Sequence, residues 1–310
     1  MKDDAALPEQ PSVSVIVPVY NDPGGLRRCL AALAAQTYPH DRFEVLVVDN
    51  GSAAAPGFVA EVCPRARLLV EPLGGSYAAR NHGAAQAQGE VLAFTDADCE
   101  PLPAWIEQGV RALLAGNGRV AAGGRIALSC RDPEHPTAAE LYEKVFGFNQ
   151  RYYVETSHYA VTANLFTTRE VFQRVGPFDA ALTTGGDTEW GRRAYAAGTA
   201  LVYAPDAVVR HPARRTVAEL KAKLKRVTVG QCRLAGRGGA FRQRGIVKLI
   251  KILPSVRYKL LPVLRSPHLT TKEKLRVLPL IPVLHFYEYG QRLMRLHCLF
   301  RRDKGWNTVK

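Results

Sequence analysis

The feature that most constrains the fold is an apolar stretch at residues 91–95 that leads directly into two carboxylates, Asp96 and Asp98. Its length and apolar character predict a strand buried on both faces, as in a parallel sheet. Residues i and i+2 of an extended chain point the same way, so both carboxylates are expected to face one point. Their mutual repulsion favours a divalent cation, and oxygen ligands suit Mg²⁺ or Mn²⁺. A strand followed by an acidic turn is the alternative, because a lone Asp-x-Asp is a common pattern.

The segments before this strand predict the fold class. Apolar, β-branched strands at residues 12–18, 43–49 and 67–70 alternate with helical or turn segments, such as the helix expected at 24–36. Such alternation predicts an α/β protein with a doubly wound, mostly parallel sheet and helices on both faces. Ligands of these sheets bind beyond the carboxyl ends of the strands. Asp49 ends the second strand, so it is expected to share one crevice with the two later carboxylates.

The pattern continues to residue 212. An aromatic-rich segment at 137–153 is expected to form one helix whose rings pack on the core. Asp187 opens a helical segment that runs to about residue 197, and it is either an N-cap or a functional acid. The remaining elements are helices at 105–114 and 169–175, strands at 120–128 and 161–166, and short strands at 200–203 and 207–209.

Charge divides the chain. The net charge is +14, but the residues from His211 to the end carry 24 Lys and Arg against 4 Asp and Glu. We therefore predict a flexible lead at 1–10, a body at 11–212 and a basic, mainly helical region at 213–310. Segments such as 246–253 and 258–265 are too short and too charged to span a bilayer. They predict helices that lie on an anionic membrane surface, with packing against the body as the alternative.

Composition limits the other function classes. The six cysteines form no Cys-x-x-Cys pair, which disfavours a zinc site, and they imply no disulfide framework. The N-terminal residues lack an apolar segment, so no signal peptide is expected. Nucleic acid is a disfavoured partner, because few aromatic residues interleave with the basic ones. We expect a cytoplasmic protein that is peripheral on the inner face of the cell membrane.

Taken together, these segments resemble the family 2 glycosyltransferases, which have the GT-A fold. The resemblance extends over residues 12–212 and rests on several motifs that occur in the family's order. They are VIVPVYN at 15–21, VVDNGS at 47–52, ARN at 79–81, FTDAD at 94–98, ANLF with VGPFD at 163–166 and 175–179, and GDTE at 186–189.

The resemblance implies a donor site for a nucleotide-sugar. Its loop after the first strand would contribute Pro18, Tyr20 and Asn21. Asp49 would accept a hydrogen bond from the base, usually uracil, which favours a UDP-sugar. Arg80 would lie beside the base or the diphosphate.

The same resemblance implies a metal on the diphosphate. Asp98 would bind Mn²⁺ or Mg²⁺, while Asp96 would contact the ribose or bind the metal through water. His211 matches a late histidine that binds the metal or the diphosphate in some relatives. An ordinary histidine beside Pro212 is the alternative.

On the acceptor side, the resemblance implies that Asp187 is the general base, with Glu189 as the alternative, and that Asn164 and Trp190 lie near the acceptor. The acceptor hydroxyl would attack opposite the leaving group, so the configuration inverts. Two positions depart from the family pattern. Asn50 stands where a second acid is usual, and Gly186 stands where a glutamate usually precedes the catalytic aspartate.

These implications predict an inverting, metal-dependent hexosyltransferase. It would move one sugar from a UDP-sugar to a membrane-linked glycan or lipid in cell-envelope or exopolysaccharide synthesis. A single transfer is expected because the Gln-x-x-Arg-Trp motif of processive members is absent from the sequence. A nucleotidyltransferase is disfavoured, because no glycine-rich basic loop follows the first strand. The remaining alternative is an inactive nucleotide-binding body with a basic membrane- or nucleic-acid-binding tail.

Overall fold

The computed structural model describes residues 9–235 and 257–302. The chain divides into two compact units. Residues Met1–Ala127 and Phe148–Pro212 form the first, here called the sheet unit, and Leu128–Gly147 and Ala213–Lys310 form the second, the helical unit. The predicted amphipathic segment at 246–253 and the first eight residues of the predicted lead lie outside the described residues.

The sheet unit is built on an eight-stranded sheet whose spatial order is β3-β2-β1-β4-β7-β6-β8-β5. Strands β1 to β4 pair in parallel, β7 is antiparallel to both β4 and β6, and β5 is antiparallel to β8. The expected α/β fold with a mostly parallel sheet is therefore confirmed in its first half, while the second half is mixed. The strands are β1 Val13–Val19, β2 Phe43–Asp49, β3 Ala66–Val70, β4 Val91–Thr95, β5 Glu100–Pro101, β6 Val120–Ser129, β7 Asn164–Thr168 and β8 Ala200–Pro212.

The helices that cover this sheet follow from the apolar spacing of the sequence. The α1 helix, for example, has Asp22 as its N-cap and buries Leu26, Leu30 and Leu33 at spacings of three and four residues. Seven helices belong to the sheet unit as described. They are α1 Pro23–Ala34, α2 Val59–Val62, α3 Ser76–Gln86, α4 Trp105–Ala115, α6 Gln150–Ser157, α7 Arg169–Val175 and α8 Gly186–Ala196.

Two predicted elements differ from the structure. The single helix expected at 137–153 is two helices, because Gly147 ends the first and the Asn149 side chain caps the second. A Cβ at Gly147 would lie 2.6 Å from the Glu143 carbonyl oxygen, so only glycine fits the break. The two short strands expected at 200–209 are one continuous strand, β8.

The helical unit has its own apolar core. Leu141, Leu220, Val263, Ile281 and Leu284 are all buried there. Within the described residues, its helices are α5 Ala138–Phe146, α9 Val217–Ala235, α10 Arg257–Arg265, α11 Thr271–Val277 and α12 Leu280–Arg302. None of the helices within residues 9–235 and 257–302 is both long and apolar enough to cross a bilayer.

Candidate active site

Two loops at the carboxyl ends of β1 and β2 are tied together around Asp49. The Asp49 carboxylate is 4% exposed, and its Oδ1 accepts a hydrogen bond from the Ser52 N–H at 3.2 Å. Asn21, in the left-handed region at φ 51°, donates its N–H to Ser52 Oγ and accepts from the Ala53 N–H. The loop after β1 therefore has a fixed path, with Tyr20 exposed beside it and Pro18 half-buried in the strand.

Asn50 fills a structural role that an acid cannot. Its Nδ2 donates to the carbonyl oxygens of Glu71 and Leu73, and its Oδ1 accepts from the Gly75 N–H. A carboxylate has no donor, so an aspartate here would leave both carbonyls without this partner. The departure at Asn50 therefore orders the chain before α3 and leaves Asp49 as the carboxylate at this strand end.

Arg80 holds Asp96. Arg80 is 5% exposed, and its Nη2 donates to Asp96 Oδ1. Its guanidinium also lies 5.5 Å from the ring centre of Tyr77, one turn earlier on α3. Arg80 therefore positions Asp96 in this structure, and its place beside the nucleotide stays a prediction.

Asp98 is paired with His211 instead. The chain turns directly after β4, with the Cys99 N–H donating to the Asp96 carbonyl, so the two carboxylates do not extend from a straight strand. β5 then pairs with β8, which brings Asp98 Oδ2 to 3.6 Å from His211 Nε2. The two carboxylates therefore have different partners, and their expected roles at a metal stay predictions. Asp96 is engaged by Arg80, and Asp98 by His211.

The donor set at Asp98 suits a hard divalent cation. His211 Nδ1 lies 2.8 Å from the Pro212 carbonyl oxygen, which can only accept, so Nδ1 carries the proton and Nε2 is turned to Asp98. Asp98, Cys99 and His211 offer ligand atoms within 4.8 Å of one another. Burial, followed by the charges of nearby carboxylates, raises the pKa of the Cys99 thiol well above its usual value. A carboxylate oxygen and an imidazole nitrogen are the ligands of this set that suit Mn²⁺ or Mg²⁺, whereas a thiol prefers softer metals.

Burial dominates the protonation of Asp98. It raises the pKa of this carboxyl, the charge of His211 opposes the increase, and Asp96 and Asp22 add to it. A bound cation would remove the repulsion among these carboxylates, which is the usual reason for clustering them.

Asp187 lies in the first turn of α8 and is held by Tyr77. The Tyr77 hydroxyl is 3.4 Å from Asp187 Oδ1 and also accepts from the Asp187 N–H, while the Thr188 N–H donates to the same Oδ1. α8 begins at Gly186 and its N-cap is Gly185, so Asp187 is not the cap that its position suggested. Burial raises the pKa of Asp187 and the Thr188 hydrogen bond opposes it.

The departure at Gly186 has a steric cause. A Cβ on Gly186 would lie 2.7 Å from the Tyr77 ring, so a glutamate cannot occupy this position while Tyr77 supports the next residue. Gly186 therefore makes room for the tyrosine that orients Asp187.

Glu189 is already paired. Both of its carboxylate oxygens accept from Arg193 one turn later, at 2.9 and 3.0 Å. Arg193 also donates to the carbonyls of Val175 and Pro177, which fixes the loop before α8. As placed, Glu189 is an ion-pair partner, which favours Asp187 over Glu189 as the base.

The two expected acceptor-side residues are buried. Asn164 is 0% exposed, accepts from Trp105 Nε1 and donates to the carbonyls of Arg125 and Ala207. Trp190 is 1% exposed, donates to the Gly176 carbonyl and packs on Phe172 and Phe178. The expectation of acceptor contact is corrected for both, because their polar groups are satisfied inside the protein and their surfaces are covered.

Sequence reasoning missed Tyr77. It lies three residues before Arg80 on a predicted helix, so the two side chains share a face, and this spacing was a usable signal. Its contact with Asp187 was not readable, because it depends on how closely α8 approaches α3. That approach is set by Asn81, whose side chain donates to the Phe178 carbonyl and accepts from the Phe178 N–H.

Comparison with known proteins identifies the family. Residues 14–176 match the model of Glycosyl transferase family 2. The chain belongs to this family. The family 2 assignment makes the protein a glycosyltransferase and excludes the nucleotidyltransferase alternative.

Relatives and a solved structure agree with the assignment. The family 2 chain is 41% identical to Glycosyltransferase AglE of Haloferax volcanii over 226 residues. The matched region covers 71% of this chain and 73% of that protein. It is 30% identical to the Pre-mycofactocin glycosyltransferase of Mycobacterium tuberculosis over 67% of this chain but only 44% of that protein. The mannosyltransferase PcManGT from Pyrobaculum calidifontis, solved with GDP-Man and Mn²⁺, shares the fold at a TM-score of 0.63. It has 19% identity over 95% of this chain and 90% of that one.

Proposed function

We propose that this family 2 enzyme transfers one sugar from a nucleoside diphosphate sugar to an acceptor hydroxyl, with inversion and with Asp187 as the general base. The observation that carries the proposal is the arrangement around α3. Tyr77 supports Asp187, and Arg80 on the same helix face binds Asp96 after β4. Helix α3 thus positions both Asp187, the proposed base for the acceptor, and Asp96, a proposed carboxylate of the donor site.

Asp187 suits the role of base by its environment. Its raised pKa makes the ionised carboxylate a stronger proton acceptor than an exposed aspartate. In the reaction, the acceptor oxygen would form a bond to the anomeric carbon while its proton passes to Asp187. The bond between the anomeric carbon and the diphosphate oxygen breaks, and the nucleoside diphosphate leaves with the electron pair. Attack from the opposite face inverts the configuration.

Asp98 and His211 would hold Mn²⁺ or Mg²⁺. When bound, the cation supplies Lewis-acid stabilisation of the charge on the departing diphosphate. Asp96, held by Arg80, then serves the ribose or a metal-bound water. The proposed ion choice is supported by the oxygen and nitrogen ligands of this chain and by the Mn²⁺ in the mannosyltransferase structure.

Asp49 would select the base of the donor. Its carboxylate can accept from a base N–H, which uracil and guanine both carry. We favour UDP from the family resemblance, while the mannosyltransferase with the same fold holds GDP-Man, so a GDP-sugar is the donor to test against it.

The acceptor is proposed to be a membrane-linked glycan or lipid. The helical unit exposes apolar side chains among its basic ones, a combination that suits the interface of an anionic bilayer. This supports a peripheral position at the inner face of the cell membrane. Among the described residues of this unit, the large exposed apolar side chains are Val227, Tyr258, Leu261, Leu264, Leu275, Val283, Phe286, Leu293 and Met294.

The proposal is tested by nucleoside diphosphate release from UDP- and GDP-sugars with MnCl₂, with water or an added glycoside as acceptor. Asp187→Asn should abolish most turnover. Asp206→Asn is the matched control, because Asp206 is an exposed aspartate of the same unit. Equal turnover in Asp187→Asn and the wild type would contradict the role of Asp187.

A further inference from the structure

Four aromatic rings beside α8 form two stacked pairs. Tyr153 and Tyr159 have ring centres 5.1 Å apart and planes inclined by 13°. His158 and Tyr195 lie 3.8 Å apart with parallel planes. Neither pair is part of the site described above. We call these four residues the aromatic platform.

The aromatic platform has a rigid support. Gln150, buried at the start of α6, donates to the Asn164 carbonyl and accepts from the Val161 N–H. These hydrogen bonds join the start of α6 to residues 161–164, on either side of the segment that contains His158 and Tyr159. His158 ends α6 in the left-handed conformation, at φ 56°. The rings are therefore held by the backbone before any ligand binds, which lowers the entropy that binding must overcome.

Gly191 brings the aromatic platform against α8, one turn after Asp187. A Cβ on Gly191 would lie 2.5 Å from the Tyr159 Cβ, so the two backbones touch only because this residue is glycine. Tyr195 follows one turn later on the same face, where it stacks on His158. The aromatic platform thus extends along α8 away from the proposed base.

Tyr153 and Tyr159 also lie within the electrostatic field of Asp187. Burial is the main cause that raises the pKa of each hydroxyl, and the charge of Asp187 adds to both, while a hydrogen bond with the Thr188 side chain opposes the increase at Tyr159. Both hydroxyls therefore stay protonated at neutral pH. They offer neutral hydrogen-bond donors and acceptors near the proton acceptor of the reaction.

The chemistry of these rings fits a sugar. The apolar C–H face of a pyranose stacks on an aromatic ring, while its hydroxyls bond to phenol groups and to a carboxylate. Tyr195 is 50% exposed with one face on His158, so its ring has a fixed orientation and open surface. At the start of α6, Phe148 lies 4.9 Å from the His211 ring. Residues 148–159 therefore run from the proposed metal ligands to the proposed base.

We infer that the aromatic platform is the acceptor subsite and binds pyranose rings of a glycan along α8, with the hydroxyl that reacts at the end nearest Asp187. This inference rests on the proposed function. It replaces the two buried residues, Asn164 and Trp190, that sequence resemblance assigned to the acceptor side. The ligand class is a neutral hexopyranoside of a glycan.

Saturation-transfer NMR with methyl glycosides of glucose, mannose, galactose and N-acetylglucosamine tests the inference without knowledge of the natural acceptor. The wild type should bind one or more of them. Tyr195→Ala should weaken binding about tenfold, because a lost stacking contact of about 1.4 kcal/mol is a factor of ten. Tyr159→Phe should weaken it less, since only the hydroxyl is lost. Tyr152→Ala, at a comparably exposed tyrosine of α6 outside the aromatic platform, should bind like the wild type.

Nucleoside diphosphate binding is measured on the same samples by thermal shift with Mn²⁺. Nucleotide binding without binding of any glycoside would overturn the acceptor subsite and leave the donor site standing. Equal glycoside affinity in Tyr195→Ala and the wild type would also overturn it. A short-chain prenyl phosphate is tested in the same way, and binding of this lipid probe without binding of any glycoside would overturn it as well. Absence of nucleotide binding, with glycoside binding retained, would contradict the proposed function and not the subsite.

Discussion

The two units bury carboxylates in opposite ways. In the helical unit, Glu143 accepts from Lys223 at 2.7 Å and from Arg214 at 3.0 Å. In the sheet unit, the half-buried Asp187 accepts hydrogen bonds from a hydroxyl and a backbone N–H, and the charge of Arg80 acts on it without an ion pair among the described contacts. Burial by itself would raise the pKa of both carboxyls. For Glu143 the two cations outweigh burial and hold the pKa below its usual value, whereas for Asp187 burial dominates.

The difference separates structural acids from the acids for which we propose a function. Glu288 repeats the structural pattern, because Lys259 and Arg292 overcome the effect of burial and lower its pKa. Asp98 repeats the functional one, since burial and neighbouring carboxylates outweigh His211. A carboxylate left without full compensation costs stability, and such groups accumulate where a cation, a substrate or a proton will supply the missing interaction.

The largest expected effect is on catalysis. Asp187→Asn keeps the shape and the Oδ1 acceptor but removes the proton acceptor, so turnover should fall about a hundredfold to ten-thousandfold. The measurement is kcat for nucleoside diphosphate release. Glu143→Gln should retain normal kcat below its melting temperature. Similar losses of kcat in both variants would break the distinction between the two kinds of acid.

The second effect is on stability and has opposite signs in the two units. Glu143→Gln should destabilise the protein by about 3 kcal/mol, because it leaves two buried or half-buried cations without their anion. Asp187→Asn should keep or raise the melting temperature at neutral pH, since it removes a charge that burial disfavours. Scanning calorimetry of both variants measures whether the melting temperature falls in Glu143→Gln and stays equal or rises in Asp187→Asn. A lower melting temperature in Asp187→Asn would contradict the account.

The pH dependence of stability should also differ between the two carboxyls. The folded pKa of Glu143 is lowered, so its stabilisation is present above the unfolded pKa and is lost as pH falls through the folded pKa. The folded pKa of Asp187 is raised, so protonation favours folding, and ionisation removes that stability as pH rises through the folded pKa. Melting temperatures from neutral to acid pH should therefore fall less steeply in Glu143→Gln than in the wild type.

A smaller effect concerns Tyr77. Tyr77→Phe removes a hydrogen bond to the ionised form of Asp187, so the pKa of Asp187 should rise further. The acid limb of kcat/KM should move to higher pH, and the rate at neutral pH should fall roughly two- to tenfold, as expected for one hydrogen bond. A pH profile that does not move would mean that Tyr77 only packs.

The smallest effect tests the surface of the helical unit. Phe286→Ser should weaken binding to vesicles that contain anionic lipid, by about tenfold or less, because one exposed apolar side chain is lost. Leu73→Ser, at an exposed leucine of the sheet unit, is the matched control. Vesicle co-sedimentation at low and high salt measures both. Equal retention of the two variants would contradict a membrane role for the helical unit.

Much of the arrangement proposed for the donor side could be predicted from sequence. Asp49 and Asp98 follow apolar strands, and parallel strands bring their carboxyl ends to one edge. The partners of Asp96 and Asp98 could not be predicted. The chain turns at residues 96–99, and β5 pairs with a strand more than a hundred residues later.

The acceptor side could not be predicted, because it depends on close approaches between distant segments. From the sequence, the rings of residues 137–153, Tyr153 among them, are expected to pack on the core, and nothing distinguishes Tyr159. The position of both tyrosines beside Asp187 requires the break at Gly147, the clamp by Gln150 and the missing Cβ of Gly191. Asn164 and Trp190 stand in family-like motifs, yet their side chains stabilise the fold.

The central claim is that Asp98 and the acids around it in the sheet unit form a metal-dependent nucleotide site. It is tested most directly by thermal shift with UDP, GDP, dTDP, CDP and ADP, each with and without Mn²⁺, on the wild type and Asp98→Asn. We expect one diphosphate to stabilise the wild type only with Mn²⁺, by about 2.7 kcal/mol at a hundredfold excess over its dissociation constant, and to leave Asp98→Asn unchanged. A shift that persists in Asp98→Asn, or no shift with any of the five, would contradict the claim.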